Sequence, residues 1–254
     1  MMKNVWEIVF SPTGGTKKAA DVLTQALSEN SQLIDLALAS SPKAVTMEPD
    51  DIAVLAVPSY GGRVPTVAVQ RLAALHGNGA KAVLVCVYGN RAYEDTLVEW
   101  QDAAQQAGFH VIAAVAAVAE HSIARQFATG RPDVQDQQQL AAFGASIREK
   151  WETGNQQEPA IPGNRPYKKY GGVGLVPKPT RDCVACGVCA VQCPVQAIDS
   201  KDPKQVNGDA CISCMRCVSV CPHNARKINS VKLSAVGMAL KKVCAGRKEN
   251  ELFL

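Results

Sequence analysis

One motif is written twice in this chain. Cys183, Cys186, Cys189 and Cys193 are followed by Pro194, and Cys211, Cys214, Cys217 and Cys221 by Pro222. Each copy reads C-x₂-C-x₂-C-x₃-C-P, and the copies lie 28 residues apart at every cysteine. Two such runs are the ligand pattern of a pair of 4Fe–4S clusters. The first three thiolates of a run reach three irons of one cube, and the fourth lies too far round to close it. It therefore ligates the other cluster. One cluster takes Cys183, Cys186, Cys189 and Cys221; the second takes Cys211, Cys214, Cys217 and Cys193. Each trailing proline turns the chain away and offers no backbone donor.

Structural zinc is the competing use of these residues, but it favours separated C-x₂-C pairs in tetrahedral sets. A disulfide framework belongs to short secreted chains, and this chain has 254 residues. Eight of its ten cysteines fall between 183 and 221, whereas the first 150 residues hold only Cys86. Charge divides the same way. Residues 1–150 carry a net −3 and residues 151–254 a net +7. Anionic clusters offset much of that excess, and no basic helix is interleaved with aromatics, so nucleic acid is not an expected partner. The first ten residues are too few and too polar for a signal sequence. No apolar run reaches the length of a membrane span. Thiolate-bound clusters without an export signal point to the cytoplasm and to no membrane partner.

Upstream of the cysteines, apolar runs at 5–10, 52–57, 80–88 and 111–118 read as strands, with a weaker one at 32–36. Helical spacing covers 17–27, 66–75, 92–107 and 134–151. The order is β-α-β-β-α-β-α-β-α, with the stretch between the second and third strands unassigned. Unbroken apolar strands alternating with helices predict an α/β fold with a doubly wound parallel sheet. Residues 152–180 alternate prolines with glycines and have no period, which predicts an extended connector running along a surface. The expected division is therefore a sheet domain at 1–151, a connector at 152–180, a cluster domain at 181–230 and a basic tail at 231–254. A helix to about residue 243 is expected in that tail.

Ser11-Pro12-Thr13-Gly14-Gly15-Thr16 joins the first strand to the first helix. Glycines admit an anion close to backbone N–H groups, hydroxyls add donors, and the helix contributes its positive end. The loop is neither a lysine-bearing P-loop nor a G-x-G-x-x-G turn, so a single phosphate monoester fits it better than ATP or a dinucleotide. An ordinary strand-to-helix turn has the same composition. Two more loops, Pro58–Pro65 and Tyr88–Tyr93, end strands at the same edge, where doubly wound sheets bind ligands. Each carries an aromatic residue suited to flank a flat ring.

Residues 182–227 resemble the bacterial two-cluster ferredoxins, with all eight ligands present. Ser11 to Thr16 and the loops at 58–64 and 88–93 are similar to the phosphate and ring loops of flavodoxins. The chain as a whole resembles a fusion family in which a flavodoxin-like domain precedes a two-cluster ferredoxin. Phe10 to Thr16, Tyr88-Gly89-Asn90-Arg91, Glu120 to Asp133 and Pro162 to Tyr167 also look like that family. The resemblance implies a five-stranded sheet of order 2-1-3-4-5 followed by a small α+β ferredoxin domain, and FMN as cofactor beside two 4Fe–4S clusters. It places the FMN phosphate on Ser11, Thr13, Gly14, Gly15 and Thr16. Ser59, Tyr60 and Gly61 would line one side of the ring, Asn90 and Tyr93 the other. The Tyr60-Gly61-Gly62 stretch would supply the peptide near the flavin N5. Pro12 and the mildly acidic charge depart from the usual flavodoxin pattern.

His121 follows the fifth strand and serves either the flavin or its own turn. Cys86 reads as a buried small hydrophobe, while Cys244 and His223 receive no metal. Arg165, Lys168 and Lys169 read as a solvated surface or as a steering patch for an acidic partner. The functional expectation is an electron carrier, more than a stand-alone enzyme, passing electrons between a donor protein, the clusters, FMN and an acceptor enzyme. A flavin-dependent reductase of a small molecule, or a redox sensor, remain the alternatives.

Overall fold

A computed structural model describes residues 4–40, 44–172 and 174–254. Its first two thirds run β1 (Val5–Val9), α1 (Gly15–Leu27), β2 (Gln32–Asp35), β3 (Ile52–Pro58), α2 (Thr66–Leu72), β4 (Lys81–Tyr88), α3 (Thr96–Gln106), β5 (His110–Val118) and α4 (Val134–Glu152). The strands pair in parallel in the order β2-β1-β3-β4-β5. That is the flavodoxin-like doubly wound order.

Strand period explains the two-sided core. Ala53, Leu55 and Val57 face α2 and α3, where Ala68, Leu72, Leu97 and Trp100 cover them. Ile52, Val54 and Ala56 face the opposite way and meet Ala19, Leu23, Leu140 and Ile147 of α1 and α4. Successive side chains of one strand thus serve two layers, which is why β3 reads as an unbroken apolar run. Trp100 is fully buried, and its indole N–H donates to the Leu55 carbonyl at 2.9 Å. Gly144 lets α4 approach α1, since a Cβ there would overlap Ala26.

The connector runs along the sheet unit. Asn164 and Lys168 donate backbone N–H groups to Asp95 at 2.9 and 2.7 Å, and Arg165 pairs with Asp102. Lys168 also reaches Glu94, so these two cations bind the chain to itself. Its last residues form β6 (Lys178–Pro179), and beyond it come α5 (Val188–Val191), α6 (Arg216–Ser219) and β7 (Arg226–Lys227), with β6 and β7 antiparallel. Both short helices begin after a left-handed residue, Gly187 at φ 80° and Met215 at φ 62°.

The C-terminal segment folds back. Helix α7 (Ser230–Lys241) leads to β8 (Glu251–Phe253), which adds an antiparallel sixth strand beside β5. The sequence pattern anticipates α7 but not β8. The segment is anchored by charge: Arg247 pairs with Asp133 and Asp136, and Asp136 also accepts from Arg131 and from Asn250. Helix α3 starts at Thr96 rather than 92, because Glu94 sits at φ 44° and the Asp95 N–H is held by the Gly62 carbonyl.

Candidate cofactor sites

The cysteines ring two separate cavities. One, of about 320 Å³, is lined by Cys183, Cys186, Cys189 and Cys221. The other, of about 370 Å³, is lined by Cys193, Cys211, Cys214 and Cys217. Each cavity thus takes three cysteines from one run and the fourth from the other. Among the described residues no three metal-binding side chains converge tightly enough for a single ion. Sulfurs spread around a hollow suit an inorganic cube better than zinc.

Burial raises the thiols of the second set, Cys214 to about 11 and Cys217 to about 12. Neighbouring cysteines contribute to the rise at both. Thiols crowded into an apolar pocket hold their protons, and a bound cation would favour the thiolate form. Backbone donors are in place as well: Ala197 N–H points to Cys193 Sγ at 3.3 Å, and Ala225 N–H to Cys221 Sγ at 3.2 Å. Cys86 lies in β4, fully buried, and Cys244 is buried near the Gly89 carbonyl; neither joins a cavity.

A cleft opens at the carboxyl ends of β1, β3, β4 and β5. Its lower part is lined by Thr13, Gly15, Thr16, Ser59, Tyr60, Gly89 and His121. The upper part, of about 730 Å³, shares Ser59, Tyr60, Gly89 and His121 and adds Gly61, Arg91, Ile212 and Leu240. At the base, Ser11 Oγ accepts the Lys17 N–H at 2.9 Å and so satisfies one donor of the first turn of α1. Among the described residues the N–H groups of Thr13, Gly14, Gly15 and Thr16 have no protein acceptor. Gly14 reaches φ 90°, which lets the loop turn those donors to one side. Orphan donors at a helix N-terminus fit a phosphate.

Not every expected residue faces the cleft. Ser59 Oγ is 2.8 Å from Thr96 Oγ1, so its hydroxyl engages α3 while its backbone lines the wall. Tyr60 and Arg63 exchange backbone hydrogen bonds at 2.9 and 3.2 Å around Gly61 and Gly62, both at positive φ. The Asn90 amide donates to the carbonyls of Cys244 and Gly246 at 2.9 and 2.8 Å. Tyr93 tilts against Tyr88 and donates to Glu251 at 3.1 Å. Both side chains are taken by the returning C-terminal segment, which the loop sequence does not reveal.

His121 does face the cleft. Its Nδ1 accepts from the N–H groups of Ile123 and Ala124 at 3.2 and 3.1 Å. Burial lowers its pKa, and Arg91 lowers it further. The ring is therefore neutral near pH 7, with the proton on Nε2. It can donate a hydrogen bond into the cleft, and it also fixes its own turn.

The cysteine segment touches the cleft directly. Ile212 lines both the cleft and the cavity of Cys211, Cys214 and Cys217. Burial raises the Tyr60 hydroxyl well above its usual range, and the charge of Cys214 adds to the rise. Arg216 donates to the Pro12 carbonyl at 3.3 Å, and Arg71 to the Pro194 carbonyl at 2.6 Å. Val236 and Leu240 of α7 roof the cleft. No motif marks Arg216, Ile212 or the α7 residues, because their role comes from the packing of distant segments.

Residues 182–225 match the family described as the 4Fe-4S dicluster domain. No curated protein matches the chain. Among solved structures, a flavodoxin of Streptococcus pneumonia TIGR4 is 19% identical, with a TM-score of 0.38, covering 57% of this chain and 99% of that one. Flavodoxin 1 from Bacillus cereus is 16% identical, with a TM-score of 0.39, covering 58% and 98%. An azoreductase from Bacillus anthracis is 10% identical, with a TM-score of 0.36, covering 61% and 100%. The strand order carries the fold assignment: a flavodoxin-like sheet is joined to a 4Fe–4S module. No helix among the described residues is long and apolar enough to cross a membrane.

Proposed function

We propose that this chain is an electron carrier holding two 4Fe–4S clusters and FMN, and that it exchanges electrons with partner redox proteins. The observation that carries this reading is the pair of cysteine-lined cavities, one of which shares Ile212 with the cleft above the phosphate loop. Cys183, Cys186, Cys189 and Cys221 would hold one cluster, and Cys193, Cys211, Cys214 and Cys217 the other. The free N–H groups of residues 13–16 would take the FMN phosphate. Tyr60, Gly61 and Gly89 would line its ring.

Bound there, clusters supply single-electron exchange and FMN supplies exchange of one electron or two. The protein's part is to fix the sites side by side. Arg216 and Arg71 tie the cysteine segment to the sheet, and Ile212 with Val236 and Leu240 of α7 lines the upper cleft. One chain carrying both kinds of site replaces a diffusional encounter by a fixed separation.

A second reading, reduction of a small molecule in the same cleft, has one observation in its favour. The upper cleft is open to solvent and offers Arg91 and a neutral His121 to a guest. Anaerobic analysis of the purified chain tests the first reading. It expects about eight irons, about eight sulfides and one FMN per chain. Zinc in place of iron, or a flavin-free protein, contradicts it. Turnover of small electrophiles by the reduced protein would favour the second reading.

A further inference from the structure

The two Cys-Pro segments differ at a telling position. Residues 193–198 read Cys-Pro-Val-Gln-Ala-Ile, and residues 221–226 read Cys-Pro-His-Asn-Ala-Arg. Both make the same turn, with Ala197 or Ala225 donating to the sulfur of the fourth cysteine of its own run. The next residue of each copy lines a cavity. Ile198 lines the one ringed by Cys193, Cys211, Cys214 and Cys217. Arg226 lines the one ringed by Cys183, Cys186, Cys189 and Cys221. Equivalent walls therefore carry a hydrocarbon in one case and a cation in the other.

Arg226 is only 2% exposed. Burying a guanidinium costs several kcal/mol unless an anion answers it. Among the described residues no carboxylate pairs with it. Nη2 donates to Cys189 Sγ at 3.3 Å and to the Pro203 carbonyl. Nε and Nη1 have no partner. The same charge also acts on Cys217 of the other set. Unanswered donors on the wall of a thiolate-ringed cavity match an anionic guest, and nothing else in the segment explains a buried arginine there.

We infer that Arg226 is a positioning residue that sets the two clusters' reduction potentials apart, by donating to sulfur of the cluster held by Cys183, Cys186, Cys189 and Cys221. The inference rests on the two-cluster reading. Reduction makes a cluster more negative. A nearby cation and N–H groups aimed at sulfur favour the reduced form and raise the potential. The cavity walled by Ile198 has a backbone donor at Cys193 and Arg216 on its wall, but the Nη groups of Arg216 donate to the Pro12 carbonyl and to Gln192 rather than to a cysteine sulfur, so its cluster stays lower.

The test is an EPR-monitored redox titration of the full chain, purified anaerobically, with iron and sulfide counted on the same sample. The wild type should show two separated one-electron steps. Arg226→Ile should lower the upper step by about tenfold in the oxidised-to-reduced ratio, or about 59 mV, and move the lower step less. Arg226→Lys should restore part of the gap. About eight irons with unmoved steps, or with both steps moved equally, would overturn the role of Arg226. About four irons in the wild type would instead overturn the two-cluster reading, and the split with it. Should Arg226→Ile fail to load iron, the wild type labelled with ¹⁵N-arginine decides. Pulsed EPR must show guanidinium nitrogen coupled to one reduced cluster; no coupling to either overturns the assignment.

Discussion

The sheet and the cysteine segment are held by different forces. Strands β1, β3, β4 and β5 bury hydrocarbon on both faces, with α1 and α4 on one side and α2 and α3 on the other. That is enough apolar surface to fold without help. Among the described residues the cysteine segment has a small core around Cys189, Ala190, Cys193, Ala197 and Ile198, with Cys214, Met215 and Ala225 also buried, and three of those eight are cysteines of the two runs. So small a core cannot offset chain entropy alone. Its order must come from what the thiolates bind, and from arginines such as Arg71 and Arg216 that tie it to the sheet. One chain thus contains a part that folds by exclusion of water and a part that folds by coordination.

The largest effect expected from this contrast is loss of iron. Chelation under reducing conditions should remove a contribution on the order of 10 kcal/mol, the scale of structural metal sites. Amide exchange should then become fast across residues 181–227, while β3, β4 and β5 stay protected. Uniform protection after chelation would break the comparison. Next comes Asp136→Ala, which strips the carboxylate shared by Arg131, Arg247 and Asn250. Removing one partner of a buried pair costs about 3–5 kcal/mol. Denaturant unfolding of the sheet should show that cost, and residues 247–253 should lose protection first. Leu84→Ala deletes a fully buried side chain of β4 and should cost the sheet about 2–5 kcal/mol, with iron content unchanged. A loss of iron in that variant would mean the two parts do not fold by separate means. The smallest effect is Gly14→Val. A β-branched residue at φ 90° costs about 1–3 kcal/mol, enough to weaken FMN binding by about tenfold in a flavin titration, with iron unaffected.

Legibility in the sequence follows the same division. Buried parallel strands announce themselves as apolar runs, so β1, β3, β4 and β5 stand out, as do α1 and α4 by their spacing. Glu251–Phe253 is too short to carry a period, and its pairing with β5 depends on the distant ion cluster around Asp136. For that reason β8 was invisible, and with it the true partners of Asn90 and Tyr93. The ligand cysteines were legible because cluster chemistry fixes both residue type and spacing. The phosphate loop was legible only in part: Thr13, Gly15 and Thr16 line the cleft, whereas Ser11 caps the helix beneath it. Arg226 carried a readable signal, since aligning the two repeats sets it against Ile198. Arg216 carried none, because its carbonyl partners lie some two hundred residues away in sequence.

The central claim is that each cavity is closed by a cysteine from the other run. EPR spectra of the cluster that survives in Cys193→Ala, Cys211→Ala, Cys183→Ala and Cys221→Ala test it most directly. Crossed ligation predicts that Cys193→Ala and Cys211→Ala leave the same surviving spectrum, and that Cys183→Ala and Cys221→Ala share the other. If Cys193→Ala instead matches Cys183→Ala, each run closes its own cube and the account is wrong.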